Sequence, residues 1–278
     1  TDLEFAASSS VNVSTTGTGA IDLDGLGALT LSDVDTVNGA ITASSAGALT
    51  VTDVASGTNG NIVLSTTSGD ITGLATVNAG SGNVTLNSAG AIVDDGSSAT
   101  VITGGVLTAD AAGAITIDST VTSANISTSA AGAVDLDETD GITLTDIDTT
   151  DGSITVDAGG LITATDVVAA GGSGDSVTLS TTTGGAVATL VTGADAVSIT
   201  ANAGDITVGA ITATAGTLGV TATAGSINDA ADDNTADFTA GGLITLTAQD
   251  EIGVLGSGSD TDLEFAASSS VNVSTTGT

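Results

Sequence analysis

The sequence predicts an all-β fold of the solenoid type, a column of short parallel strands wound into three-sided turns of about 20 residues. Three observations predict it. The residue palette suits thin, closely stacked strands; a degenerate motif recurs every 20-odd residues; and a long block returns letter for letter.

The palette comes first. The 278 residues include no Lys, Arg, His, Pro, Cys, Met, Trp or Tyr, and the only aromatics are Phe5, Phe238 and Phe265. Glycine fills 39 positions, and 40% of the chain is hydrophobic. Disordered chains are poor in aliphatic residues, so this low-complexity composition is not that of a disordered polymer. Small and β-branched side chains fit a pleated surface and fill a narrow interior.

The short period is carried by Gly-x-[Ile/Leu/Val]-Thr-[Leu/Val/Ala], as in Gly27–Leu31, Gly47–Val51, Gly113–Ile117, Gly152–Val156 and Gly242–Leu246. Aligning the first aliphatic residue gives Leu29, Leu49, Ile71, Ile92, Ile115 and Val134, with steps of 20, 22, 21, 23 and 19 residues. Each step holds a second such element (Ile41, Ile62, Val84) and a shorter Asp-Val element (Asp33-Val34, Asp53-Val54). Three strands per turn make a triangular rung. Within each strand apolar residues alternate with Thr, Ser or Asp, the period of two that sends one face inward and one outward. No stretch shows the apolar period of a helix. Glycines at the strand starts are expected to supply positive φ at sharp corners.

The long block is TDLEFAASSSVNVSTTGT, residues 1–18, which recurs at 261–278. The period is 261 − 1 = 260, so residues 1–260 form one tandem unit and 261–278 the start of the next identical one. Taking about 13 rungs per unit at ~4.8 Å gives roughly 60 Å of column per repeat, stacking continuously from unit to unit. No capping segment interrupts it. An uncapped sheet edge pairs with whatever strand is offered, so the first partner expected is another copy of the same unit.

Charge narrows the functions. The formal net charge is −33 without a single cationic side chain. Nucleic acid is excluded as a partner, because nothing can neutralise phosphate, and anionic membrane surfaces for the same reason. No apolar run approaches the ~18 residues that cross a bilayer, so membrane insertion is not expected. One unit carries 33 − 2 = 31 acidic residues. Over such a column this is near one charge per ~2 Å, comparable to duplex DNA. Divalent cations are therefore expected partners, able to stiffen or laterally bundle the column.

Discrete calcium sites are expected, if anywhere, in three acidic loops: Asp229, Asp232, Asp233, Asn234 and Asp237; Asp146, Asp148 and Asp151; and Asp260, Asp262 and Glu264. Calcium takes six to eight oxygen ligands in flexible geometry, which clustered carboxylates can offer. None of the loops matches an EF-hand. Gly171-Gly-Ser-Gly174-Asp175 comes close to a calcium-binding nonapeptide but is not arrayed. The simpler reading is that these are turn aspartates, since Asp suits turns. No cofactor is otherwise required.

Enzymatic activity is not expected. A catalytic triad or a general base of near-neutral pKa needs His or Cys, and both are absent. The pairs Asp22/Asp24 and Asp135/Asp137 could serve an inverting glycosidase only across a sugar cleft, and such clefts usually carry Trp or Tyr. Outward Thr pairs (Thr50/Thr52, Thr143/Thr145, Thr163/Thr165, Thr245/Thr247) suggest hydroxyl ladders of the kind ice-binding β-helices use, although Thr also simply fits exposed strands. Asn12-Val-Ser14, Asn83-Val-Thr85 and Asn125-Ile-Ser127 match the short glycosylation sequon.

The strings Gly-Asp-Ile-Thr (Gly69–Thr72, Gly204–Thr207), Gly-Ala-Ile-Thr (Gly39–Thr42, Gly113–Thr116) and Gly-Gly-Leu-Ile-Thr (Gly241–Thr245) resemble the repeats of filamentous-haemagglutinin-type adhesins and related giant bacterial surface proteins. The resemblance spans nearly the whole chain at the level of the motif. It implies a right-handed parallel β-helix secreted to the cell surface. The total lack of Lys and Arg departs from the family, and the family's amino-terminal secretion domain is not in this sequence. The expected function is the structural shaft of an extracellular fibre or giant surface adhesin, a protease-resistant acidic rod. The alternatives are a glycan- or cell-recognising adhesin module and, behind it, an ice-binding β-helix.

Overall fold

The computed structural model describes residues 3–97, 101–231, 235–253, 262–266 and 270–277. Among them every regular element is a β-strand and none is a helix. The chain forms two compact units, Thr1–Asp137 and Glu138–Thr278, each a parallel β-solenoid. Together the two units contain about 11 turns.

In the first unit three parallel ladders run side by side. One stacks Ile21, Ile41, Ile62, Val84, Leu107 and Ala124 in register. The second stacks Leu29, Leu49, Ile71, Ile92 and Ile115. It continues through the Ile115 N–H, which donates to the Ala133 carbonyl at 2.9 Å. The third stacks Val34, Val54, Val77 and Ile102. The residues that the motif spacing aligns, from Leu29 to Ile115 with Ile41, Ile62, Val84, Val34 and Val54, fall in these columns; Ile21, Val77, Ile102, Leu107 and Ala124 extend them. The second unit is built alike, with Ile154, Val177, Val197, Leu218, Ile244 and Val271 in one ladder. Its second holds Ile142, Ile162, Ala186, Ile206 and Ile227, and its third Ile147, Val167, Val191, Ile211 and Phe238.

Alternation explains the interior. Strand Ile62–Thr66 buries residues 62, 64 and 66 and half-exposes 63 and 65, and Val177–Thr181 buries 177, 179 and 181. Ladder partners lie about 4.8 Å apart, so each inward Ile, Leu or Val rests on a similar residue of the next turn. The resulting cores are aliphatic and narrow; Ile41, Leu49, Ile62, Leu64 and Ile71 are fully enclosed.

Two expectations are corrected. The count of about 13 turns assumed 20 residues each, whereas the ladder steps range from 17 (Leu107 to Ala124) to 27 (Ile211 to Phe238 and Ile244 to Val271). Extra residues leave at the corners and add no rung. The motif glycines also act differently from expected. Gly27, Gly39, Gly47, Gly113 and Gly242 do not have positive φ; Gly69 and Gly204, at +86° and +91°, do. The usual reason for glycine here is close stacking of backbones. A Cβ on Gly39 would lie 2.2 Å from the Gly19 carbonyl oxygen, and one on Gly60 would lie 2.3 Å from that of Gly39.

The corners hold a device that the alternating pattern hides. Buried hydroxyls at the ends of strands turn back to donate to carbonyls of the same corner. Thr36 does so to Gly39 at 2.7 Å, Thr66 to Gly69 at 2.8 Å and Ser88 to Ala91 at 2.8 Å; Ser56 reaches Gly60, and in the second unit Thr181 reaches Gly184. A buried carbonyl without a donor costs roughly 1–3 kcal/mol, so these inward Ser and Thr residues are structural.

Candidate functional site: carboxylates on the outer faces

The alternation that buries valine and isoleucine projects their aspartate neighbours outward, and the ladder register brings carboxylates of successive turns together. In the first unit Val34 and Val54 are buried partners, so Asp33 and Asp35 lie next to Asp53. Partial burial, then a hydrogen bond with Asp33 and the charges of Asp33 and Asp53, hold the Asp35 carboxyl above its ordinary pKa. Burial and the Asp33 charge raise Asp53 as well. The Asn12 amide donates to Asp33 at 3.0 Å and offsets part of this crowding.

A larger group surrounds Asp118. Burial is the main cause raising its pKa, followed by the charges of Asp94, Asp137, Asp95 and Asp135. The expected pair Asp135/Asp137 thus belongs to a carboxylate row that runs along the ladder rather than across a cleft. Asp22 and Asp24 project from one strand, and Asp24 accepts a short hydrogen bond from Ser44.

In the second unit Asp146 and Asp148, from one predicted calcium loop, sit on the strand Ile142–Asp151 beside Asp166. Burial first, then the charges of Asp146 and Asp166, raises the pKa of Asp148. Asp166 Oδ1 is enclosed without a hydrogen-bond partner. Asp151 lies exposed at the end of that strand. From the predicted loop that spans Asp229 to Asp237, Asp229 closes a turn by accepting the Ala231 N–H at 2.9 Å. Asp237 is only 6% exposed and accepts the Glu264 N–H at 2.8 Å, which joins this loop to the predicted loop of Asp260, Asp262 and Glu264. Asp262 is exposed. Asp232, Asp233, Asn234 and Asp260 lie outside the described residues. Among the described residues no group of three or more carboxylates is placed to hold a metal ion.

Several aspartates are used by the backbone. Asp175, in the glycine-rich stretch, accepts the Gly172 N–H at 2.7 Å; Asp195 accepts from Gly174 at 3.0 Å, Asp70 from Ala91 at 2.8 Å and Asp205 from Ser226 at 2.8 Å. Asp175 thus serves its own corner, while Asp195, Asp70 and Asp205 tie one turn to its neighbour. The outward threonine rows are short: Thr30, Thr50 and Thr72 stack, and then Val93 breaks the row; Thr143 and Thr163 stack, and then Val187 does. A hollow of about 800 Å³ in the second unit is lined by Ser226, Gln249, Asp250, Glu251, Thr276 and Gly277, with no aromatic platform.

What these faces offer chemically is carboxylate oxygen. With no Lys, Arg or His in the chain, each carboxylate must be balanced by solvent cations or by a proton. No protein family, curated protein or solved structure matches the chain.

Proposed function

We propose that the chain is one stretch of a self-continuing structural shaft, the rod of an extracellular fibre or giant surface adhesin akin to the filamentous-haemagglutinin type. One observation carries this reading. The same 18-residue block pairs through opposite edges in its two copies. Residues Ser9–Ser14 of the first copy pair with Leu29–Asp35, which follow them, whereas Ser270–Thr275 of the second pair with Leu243–Ala248, which precede them. A block able to pair on both edges is a rung between what comes before and what comes after, as a tandem array requires.

The carboxylate rows fit the role. They keep the surface solvated and like-charged, and they invite a diffuse sheath of divalent cations that stiffens or bundles neighbouring rods. The absence of Lys and Arg leaves trypsin-like proteases no cleavage site, which suits an element exposed outside the cell. In this reading the shaft is not an enzyme, and any recognition of glycans or neighbouring cells belongs elsewhere.

Electron microscopy of chains carrying one, two and four tandem units tests the proposal. The expected result is a rod that lengthens by a constant ~50 Å per unit, from about 11 turns at ~4.8 Å each. Beads on a flexible string, or specific retention on a glycan array by the bare repeat, would overturn it in favour of a compact or recognising module.

A further inference from the structure

The two copies of the recurring block bond to their neighbouring turns through different backbone groups. In the first copy the Ser8 N–H donates to the Ala28 carbonyl at 2.8 Å and the Thr15 N–H to the Asp35 carbonyl at 2.9 Å, while the Phe5 carbonyl accepts the Leu26 N–H at 2.9 Å. In the second copy the donors are Ala266, Thr276 and Gly277, which reach the carbonyls of Phe238, Ala248 and Gln249 at 2.9, 2.9 and 2.7 Å. The acceptor there is the Glu264 carbonyl, which takes the Phe238 N–H at 3.1 Å. Subtracting the period of 261 − 1 = 260 turns this second set into Ala6, Thr16, Gly17 and Glu4. None of these groups is used twice, because adjacent backbone groups of a strand point to opposite edges. One block can therefore carry both sets of bonds at once.

Each copy has one edge filled. Among the described residues Ser9–Ser14 pairs with Leu29–Asp35 alone, and Ser270–Thr275 with Leu243–Ala248 alone. The second copy covers Ile244, Leu246 and Ala248, which are fully enclosed, yet its own Val271 and Val273 remain 40% and 50% exposed. A turn shaped to cover those two valines is already present in the chain. It is Leu29–Asp35, seated on the equivalent Val11 and Val13.

We propose that the edge formed by Phe238 and Leu243–Ala248 is a docking site for residues 1–18 of a second copy of this chain, which displace residues 261–278 and join the two chains head to tail by strand exchange. Identity fixes the occupant: the sequence seated on this edge recurs letter for letter at residues 1–18. Each bond and contact to the edge is replaced by the same one from another chain, so the exchange is nearly balanced in energy. The arriving block also brings its own Leu29–Asp35, which completes a rung filled on both edges. What opposes the exchange is the tether, because a block in the same chain competes at an effective concentration in roughly the millimolar range. Residues 261–278 thus act as a built-in plug, closing the edge until a second chain takes their place. The proposal extends the shaft reading from units within one chain to separate chains, and it rests on that reading only for its role in a fibre.

The test uses the full 278-residue chain in about 0.15 M salt, which screens the like charges of the two copies. Val271→Asp with Val273→Asp sets two carboxylates over Ile244 and Leu246 and unseats the second copy alone. In sedimentation this variant should form oligomers at a concentration at least about tenfold below that needed by the unsubstituted chain. An excess of the free peptide TDLEFAASSSVNVSTTGT should return it to single chains. Adding Val11→Asp and Val13→Asp disables the incoming block as well and should abolish the oligomers. Should the charged variants fail to fold, cysteine trapping reads the joint in otherwise unsubstituted chains, which have no cysteine of their own. Asn272 lies over Thr245, so Asn12→Cys in one chain should form a disulfide with Thr245→Cys in another. It should do so faster than Thr42→Cys, which is exposed on the strand Ile41–Ser45. A folded variant that stays a single chain and ignores the peptide, or trapping no faster than at Thr42→Cys, overturns the exchange. Single chains alongside rods that lengthen with each tandem unit refute the exchange and spare the shaft; exchanged chains among beads do the reverse.

Discussion

The two copies of the recurring block are one sequence in two environments. In the first copy Val11 is buried, Phe5 lies over Gly25, Glu4 is exposed, and Asn12 lies over Asp33. In the second, Val271 is 40% exposed, Phe265 stacks on Phe238, Glu264 is half-buried against Asp237, and Asn272 lies over Thr245. The difference teaches that a solenoid strand has no fixed burial of its own. What covers it is set by which of its two edges has found a partner, so identical residues carry different energies at positions 260 apart.

The largest test of that contrast is aromatic. Phe238 is fully enclosed and faces a second ring, whereas the half-buried Phe5 faces a glycine. Phe238→Ala should therefore cost about 3–5 kcal/mol, the usual loss for a buried Phe. Phe5→Ala should cost less than about 1 kcal/mol, in the range of ordinary surface changes. Urea midpoints of the two variants check this, and equal losses would mean that Phe238 under the ring of the second copy is no better packed than Phe5 over its glycine.

Such differences set the limit of what was legible beforehand. The ladders were readable because the inward residues of most rungs are aliphatic and their spacing is nearly regular: Leu29, Leu49, Ile71, Ile92 and Ile115 align by their motif and do stack. The turn count was not, because loops such as the one between Ile211 and Phe238 lengthen a turn without adding a rung. The acidic loops were visible as clusters along the chain, but carboxylates meet along the ladder. Asp118 gathers Asp94 and Asp137 from other turns, a neighbourhood that follows only once the register is known. Asp237 and Glu264 fell in separate predicted loops for the same reason. The inward Ser and Thr of the corners were hidden because they read as the polar half of an alternating strand; the spacing that could have found them is a hydroxyl three or four residues before the carbonyl it serves, usually that of a glycine.

A smaller effect is expected at the glycines that close each block. A Cβ on Gly17 meets nothing within 4 Å, whereas one on the equivalent Gly277 would stand 2.3 Å from the Gln249 carbonyl oxygen, which already accepts the Gly277 N–H at 2.7 Å. Gly277→Ala must shift backbone and should cost about 1–3 kcal/mol, the range for overpacked sites. Gly17→Ala should be neutral or slightly stabilising, by up to ~1 kcal/mol, because alanine restricts the unfolded chain. Thermal melts of the pair decide, and a neutral Gly277→Ala would show that the second copy sits loosely on its turn.

The smallest effect separates the copies through charge. Asn12 donates to Asp33 within the crowded set Asp33, Asp35 and Asp53, while Asn272 has a threonine beneath it. Burial and mutual repulsion raise the folded-state pKa values of Asp35 and Asp53 above 3.8. The cost of ionising them is therefore absent below about 3.8, grows as pH rises through the folded values, and is fully present above them. Asn12→Ala removes the donor that offsets this crowding and should destabilise by ~0.5 kcal/mol at neutral pH, as befits an exposed charge-assisted contact. That loss should shrink as the pH is lowered toward 4 and again as salt screens the row. Asn272→Ala should show neither dependence. If both variants respond to pH alike, repulsion along the ladder is too well solvated to matter, and the outer carboxylates act as independent surface charges instead of a coupled row.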